Sequence, residues 1–199
     1  MRLTRSEQQE RNRAALIEAA RATIAARGAA ASLDAIAEAA GLTTGAVYSI
    51  FGSRRELFRA TVEDQFRDRP EQVARLAATD LDLAGVLRAC AAEHPLPADD
   101  DLARTELHEM LLVMGDDRLR AQVAAILAAD LDRVTGLLTG RVVPGTDPVR
   151  RCTPEQARRV ATALRAVLTG YGVHALVDRD PRDARAISDT CAALAALAR

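Results

Sequence analysis

Between Thr43 and Arg55 the chain spaces two hydroxyls, a phenol and two guanidinium groups in a way that suits contact with oxyanions. Thr43 and Thr44 stand at the start of a helix, where hydroxyls and free backbone N–H groups face outward and the helix dipole favours negative charge. Tyr48 follows one turn later, so its hydroxyl reaches the same anionic partner while its ring packs. Arg54 and Arg55 open the next helix and supply rigid forked donors of the kind that bind phosphate. Elsewhere no motif for catalysis is found. The sequence has no Gly-rich phosphate loop after a strand and no Gly-x-Ser-x-Gly elbow. Its three histidines, His94, His108 and His174, form no His-x-x-x-His or Glu-x-x-His pair. The expectation is therefore a protein that is not an enzyme and needs neither metal nor cofactor.

The groups at 43–55 have to be positioned by helices, and the punctuation for these is legible. Two helices that cross steeply through a short turn need a small residue at their closest approach, a residue that tolerates positive φ in the turn, and apolar anchors on both sides. Ala37, Gly41 and the trio Ile36, Leu42 and Val47 meet those needs. The spacing predicts a helix-turn-helix, with 44–50 as the helix that enters a major groove. A long helix over 6–26 ends at Gly28, Ser32 caps 33–40, and Ser53 caps 54–67. Further helices are predicted over 71–78, 81–93, 102–114, 118–139, 154–177 and 181–198. Thr153-Pro154-Glu155-Gln156 forms a capping box ahead of the ninth. The stretches 94–101 and 140–152 read as loops, and no strand is predicted.

Composition supports an all-α fold. Of 199 residues, 42 are Ala and only five are aromatic, while all 27 basic residues are Arg; helix formers dominate and strand formers are sparse. Uninterrupted apolar runs such as 123–129, of seven residues, fall far short of the roughly 20 that span a bilayer. With no secretory pattern at the N-terminus, a cytoplasmic protein that does not enter the membrane is expected. Cys90, Cys152 and Cys191 are too widely spaced for a metal site and odd in number, so reduced packing residues are expected. The formal net charge of -1 is unevenly distributed. Residues 1–60 carry nine Arg against six acids, +3, and residues 61–199 carry 18 against 22, -4. The basic end contains the helix-turn-helix, and Arg2 and Arg5 ahead of the first helix could follow a groove as an arm.

Residues 13–58 resemble the tetracycline-repressor (TetR) family of bacterial transcriptional regulators. The resemblance rests on Ile17, Ala19-Ala20, Gly28, Ile36-Ala37, Ala40-Gly41-Leu42 and the order Gly45-x-x-Tyr48-x-x-Phe51-x-Ser53-Arg54-x-x-Leu57-Phe58. It implies an N-terminal three-helix DNA-binding domain, 1–53, and a larger C-terminal helical bundle, 54–199, that binds ligand and dimerises, with 54–67 as the linking helix. By resemblance Thr44, Tyr48 and Arg54 contact the DNA backbone, with Arg55 beside them, and Thr43, Gly45 and Ser49 face the groove. A basic residue is usual in the family at position 44 and His at 50; here they are Thr44 and Ile50. The implied partners are a double-stranded palindromic operator, a small, largely apolar effector, and a second copy meeting this one through 154–178 and 181–198. Cys90, His108, Met110, Met114, Tyr171 and His174 lie on helices expected to surround the effector. The implied function is a regulator, most simply a repressor, released by its effector. Two readings from other classes stay open: a helical small-molecule-binding protein or enzyme that keeps the helix-turn-helix as scaffold, and a DNA binder without effector.

Overall fold

A computed structural model describes residues 4–94, 100–174 and 183–199. The expected Arg2 contact, the centre of the 94–101 loop, and parts of both proposed dimer helices (175–178 and 181–182) lie outside the described residues. The chain packs as two compact units, Met1–Arg67 with Arg104–Ile126, and Asp68–Ala103 with Leu127–Arg199.

In the first unit α1 is Arg5–Arg27, α2 Leu33–Ala39, α3 Thr44–Phe51 and α4 Arg54–Asp64. Each start is fixed by a side chain that accepts an otherwise orphaned amide: Thr4 from Glu7, Ser32 from Ala35, Thr43 from Ala46 and Ser53 from Glu56. At the head of α1 the Glu7 carboxylate also accepts from the Thr4 amide at 2.7 Å, completing a capping box that puts Arg5 inside the helix. The core of this unit is Leu16, Ala20, Ile24, Ile36, Val47 and Leu57, joined by Leu119 and Val123. Two further helices contribute, α7 (Asp100–Met114) and α8 (Asp117–Leu138), the latter as far as Ile126. The helix read as 54–67 stops at Asp64. Beyond it the amides of Gln65, Phe66 and Arg67 bond to carbonyls three residues back, which tightens the chain into turns that end the α-helical register.

The second unit is built on α5 (Arg69–Ala77), α6 (Leu83–Glu93), the rest of α8, α9 (Pro154–His174) and α10 (Ala184–Ala193), finished by a 3-10 turn over Leu194–Ala198. Its core runs through Leu83, Val86, Leu87, Leu138, Val160, Ile187 and Cys191, with α6 lying against α10. The capping box at Thr153 forms as read: its amide donates to Gln156 Oε1 at 2.8 Å and its hydroxyl accepts from the Gln156 amide. Cys90, Cys152 and Cys191 are free and buried.

The expectation of no strand is corrected within 140–152. There β1 (Val142–Val143) pairs antiparallel with β2 (Arg150–Arg151), Val142 opposite Arg151 and Val143 opposite Arg150. The amides of Cys152 and Gly140 extend the pairing, each at 2.8 Å from the partner carbonyl. Two residues are too few for an alternating pattern to show in sequence. The hairpin carries Arg141, whose guanidinium donates to the carbonyls of Leu76, Ala77 and Leu81 and so satisfies backbone groups at and beyond the end of α5. No helix of the described residues is long and apolar enough to cross a membrane.

Candidate nucleic-acid interface

The turn between α2 and α3 is built from four residues. Ala40 keeps helical geometry, Gly41 turns the chain at φ +66°, the Leu42 amide donates back to the Ala37 carbonyl at 2.8 Å, and Thr43 is extended. A Cβ at Gly41 would meet nothing, so this glycine is present for its backbone conformation rather than for space. The turn directs Val47 and Phe51 of α3 inward and leaves Thr43, Gly45, Tyr48 and Ser49 exposed, with 54% of the Tyr48 surface open to solvent. Those four outward residues are four of the seven read from the sequence as DNA contacts.

Thr43 and Thr44 do different jobs. The Thr43 hydroxyl caps α3, accepting from the Ala46 amide at 3.2 Å. The Thr44 hydroxyl donates to Asp34 Oδ1 at 2.5 Å and ties the head of α3 to the first turn of α2. Asp34 stands ten residues before Thr44, and no sequence signal marks the pair. The first backbone N–H groups of α3 have no intrahelical acceptor, so an oxyanion placed there would find donors already oriented.

The two arginines that open α4 are both engaged. Arg54 donates from Nη2 to the Ala31 carbonyl at 2.8 Å and stacks over Phe58, 4.9 Å from the ring centroid, yet remains exposed and has no acidic partner among the described residues. Arg55 Nε donates to Asp116 Oδ2 at 2.7 Å. The other oxygen of Asp116 accepts the Arg118 and Leu119 amides at the start of α8. The Leu119 amide first, and then Arg55, hold the Asp116 carboxyl below its usual value. Beside this pair Glu56 accepts from Gln122 at 2.9 Å and from Arg59 at 2.8 Å, which keeps its carboxyl ionised to lower pH than usual. The first turn of α4 is thus fastened to α8 by two polar contacts that sequence spacing could not show. An open cavity of about 510 Å³ lies along this seam, lined by Ser53, Arg54, Arg55, Phe58, Leu112 and Asp116 among others.

Residues 16–61 match the family model for bacterial regulatory proteins of the tetR family. Over this segment the chain is similar to the tetR family. The matched stretch spans the helix-turn-helix and the start of α4, the region with the geometry described above. The sequence matches no curated protein. Solved structures extend the likeness over the whole chain. FadR from Bacillus subtilis, in complex with stearoyl-CoA, is 20% identical with a TM-score of 0.72 over 92% of this chain and 96% of that one. NalD, the secondary repressor of the MexAB-OprM multidrug efflux pump in Pseudomonas aeruginosa, is 24% identical with a TM-score of 0.65 over 95% and 96%. The multidrug binding protein EbrR complexed with imidazole gives 21%, 0.63, 92% and 94%. At such identities they establish a tetR-like fold, an N-terminal helix-turn-helix domain followed by a helical domain.

The six residues read as effector contacts are divided between the units. His108, Met110 and Met114 are on the part of α7 that packs in the first unit. His108 Nδ1 lies 3.0 Å from the Ile24 carbonyl and its ring covers Gly28, where a Cβ would sit 2.8 Å from Nε2; Met110 and Met114 are exposed. Cys90, Tyr171 and His174 are in the second unit. Cys90 is in the core, where burial pushes its thiol up to about 11. Tyr171 packs against that core with its hydroxyl 3.4 Å from Thr190 Oγ1. His174 lines an open groove of about 640 Å³ together with Leu131, Thr162, Ala166, Thr169 and Val173.

Proposed function

We propose that this protein is a homodimeric transcriptional regulator of the tetR family that represses by occupying a palindromic operator and leaves it when a small effector binds. The observation that carries the proposal is the exposed face of α3, where Thr43, Gly45, Tyr48 and Ser49 project from a helix held by Val47 and Phe51 on its other side. In this reading 1–53 is the DNA reader and 54–199 the sensing and dimerising body, linked through α4. Thr44, Tyr48, Arg54 and Arg55 take the phosphates, and Thr43, Gly45 and Ser49 meet base edges. Arg55 reaches a phosphate by exchanging one oxyanion, Asp116, for another. The excess of +3 over residues 1–60 attracts DNA to this end.

Dimerisation follows from the physics of a short reading helix, since two copies related by a two-fold axis read half-sites roughly 34–36 Å apart and discriminate far better than one. Of the last two helices, read as the dimer interface, the residues Val160, Leu164 and Leu168 of α9 are buried within their own unit. The same holds for Gly172, Ala192 and Ala195. The outward face of α9 carries Thr162, Ala166, Thr169 and Val173, small side chains that allow close approach of another helix, and it takes over the role in this proposal. An effector is supported by the ligands in the solved structures of similar fold, stearoyl-CoA in one and imidazole in another.

The test is a gel shift of the full-length protein on the DNA that flanks its own coding region. A discrete complex is expected, abolished by combining Tyr48→Ala with Arg54→Ala. An unchanged complex with the double variant would remove these residues from the interface.

A further inference from the structure

Away from the reading face of α3, the first unit carries an unusual concentration of exposed apolar surface. Among the described residues nine large apolar side chains are exposed, and four of them, Leu107, Met110, Leu111 and Met114, fall within eight residues of α7. Leu107, Leu111 and Met114 recur at helical spacing and so share one face. Apolar side chains exposed singly are ordinary, whereas a contiguous group marks a surface that something covers. Leu111, 55% exposed, also lines the open cavity of about 510 Å³ that runs from the head of α4 to the turn between α7 and α8.

That cavity is lined by hydrocarbon and by cations together. The buried Phe58 and Leu119, the half-buried Leu112 and the exposed Leu111 supply the hydrocarbon. Arg54 and Arg55 supply two positive charges and Asp116 one negative, an excess of one positive. Both guanidinium groups are held in place without being used up. Arg54 gives Nη2 to the Ala31 carbonyl and lies over Phe58, which leaves its Nε and Nη1 without an acceptor among the described residues. Arg55 gives only Nε, to Asp116, whose other oxygen already accepts two amides of α8. The volume is in the range of ligand sites, about 300–1,000 Å³, which likewise combine apolar walls with a few fixed polar groups. One excess positive charge beside an apolar wall defines its complement, a single negative charge on an apolar body. A free phosphate meets the arginines and leaves the leucines uncovered; a neutral apolar compound covers the leucines and leaves the donors of Arg54 unmet.

We propose that this cavity is a binding site for an amphipathic monoanion, a carboxylate on an unbranched hydrocarbon body. The carboxylate accepts from Arg54 and from the Nη groups of Arg55 that Asp116 leaves unused, and the hydrocarbon covers Phe58, Leu111 and Leu112. The consequence for regulation rests on the reading of Arg54 and Arg55 as phosphate contacts. A carboxylate held by these two side chains occupies donors that the operator needs, so ligand and DNA exclude each other directly, and no change of shape has to travel between the units.

The probes are octanoate, octanol, octylamine and acetate. Their binding to the full-length protein is measured by calorimetry without DNA, so that the site is tested whether or not the DNA-binding reading holds. Octanoate is expected to bind at least about tenfold more tightly than the others, because octanol lacks the charge, octylamine has the opposite one and acetate lacks the hydrocarbon. Arg54→Gln should weaken octanoate about tenfold. Leu111→Asp, at an exposed position, replaces hydrocarbon by a like charge and should also weaken it about tenfold, which keeps the test decisive where Arg54→Gln is poorly folded. Octanol bound as tightly as octanoate, no binding of octanoate, or undiminished binding by either variant in folded form would overturn the proposal. On DNA that flanks the coding region, octanoate should displace the protein over the concentration range in which it binds. Octanoate that binds through Arg54 and leaves the DNA complex intact would uphold the site and remove Arg54 and Arg55 from the DNA contacts.

Discussion

The two units use polar side chains in opposite ways. Around α3 the hydroxyls and guanidinium groups sit at helix ends, each with a partner close by, such as Asp34 for Thr44 and Ala31 for Arg54, and the face beside them is open to solvent. In the second unit Asp130 is buried, and its Oδ1 lies 3.2 Å from Nε of the half-buried Arg69. An exposed polar surface can exchange water for DNA phosphate at little cost, as a partner that arrives and leaves requires. A buried ion pair cannot be wetted freely, so each member depends on the other staying in place. The polar groups of the first unit are thereby free to change partner, and those of the second hold α5 to α8.

The largest effect that separates the units should come from Arg69→Leu. It leaves Asp130 buried and unpaired, and the partial exposure of both side chains (19% and 12%) puts the loss at about 3 kcal/mol, the low end for a broken buried pair. Urea unfolding checks it, and a loss below about 0.5 kcal/mol would mean that the pair is effectively solvated. Tyr48→Ala should do the reverse, with stability unchanged and DNA binding weakened roughly tenfold, the equivalent of about 1.4 kcal/mol.

Gly45→Ala sharpens the contrast within α3. A Cβ there meets only Thr43 Oγ1, at 3.7 Å, so the fold has no need of this glycine. Alanine should raise stability by about 0.5 kcal/mol through helix propensity and still weaken DNA binding, because the added methyl stands on the reading face. Binding at the wild-type level would show that Gly45 is not at the interface. The smallest effect is a pH dependence carried by His94. Its folded value is below the ordinary 6.5, so the unfolded chain takes up the proton first, and stability falls as pH drops below 6.5 and is unaffected above it. His94→Leu should remove that part of the decline, as followed by thermal melts between pH 5 and 8 at roughly half-unit intervals.

The same contrast governs how much could be read from sequence. The caps at Ser32, Ser53 and Thr153 and the turn at Gly41 are interactions within a few residues, so their signals are local and the structure has them where they were read. The partners of the site were not legible in this way. Arg55 meets Asp116 across 61 residues, and Arg69 meets Asp130 across the same separation; both acids look in sequence like ordinary members of a charged helix. Which face of α9 is left open was not legible for a related reason. Periodicity identifies an apolar stripe but not which neighbour covers it, and the stripe of Val160, Leu164 and Leu168 is covered by its own unit.

The central claim, that the open face around α3 and the head of α4 grips DNA through its phosphates, is tested most directly by the salt dependence of binding. Fluorescence anisotropy of the full-length protein on a duplex carrying the operator, between 50 and 200 mM salt in about five steps, yields the slope of log affinity against log salt. Two cationic phosphate contacts per subunit, from Arg54 and Arg55, predict a slope of roughly -3.6 for a dimer, the hydroxyls of Thr44 and Tyr48 releasing no counterions. A slope near zero with affinity retained would contradict the claim.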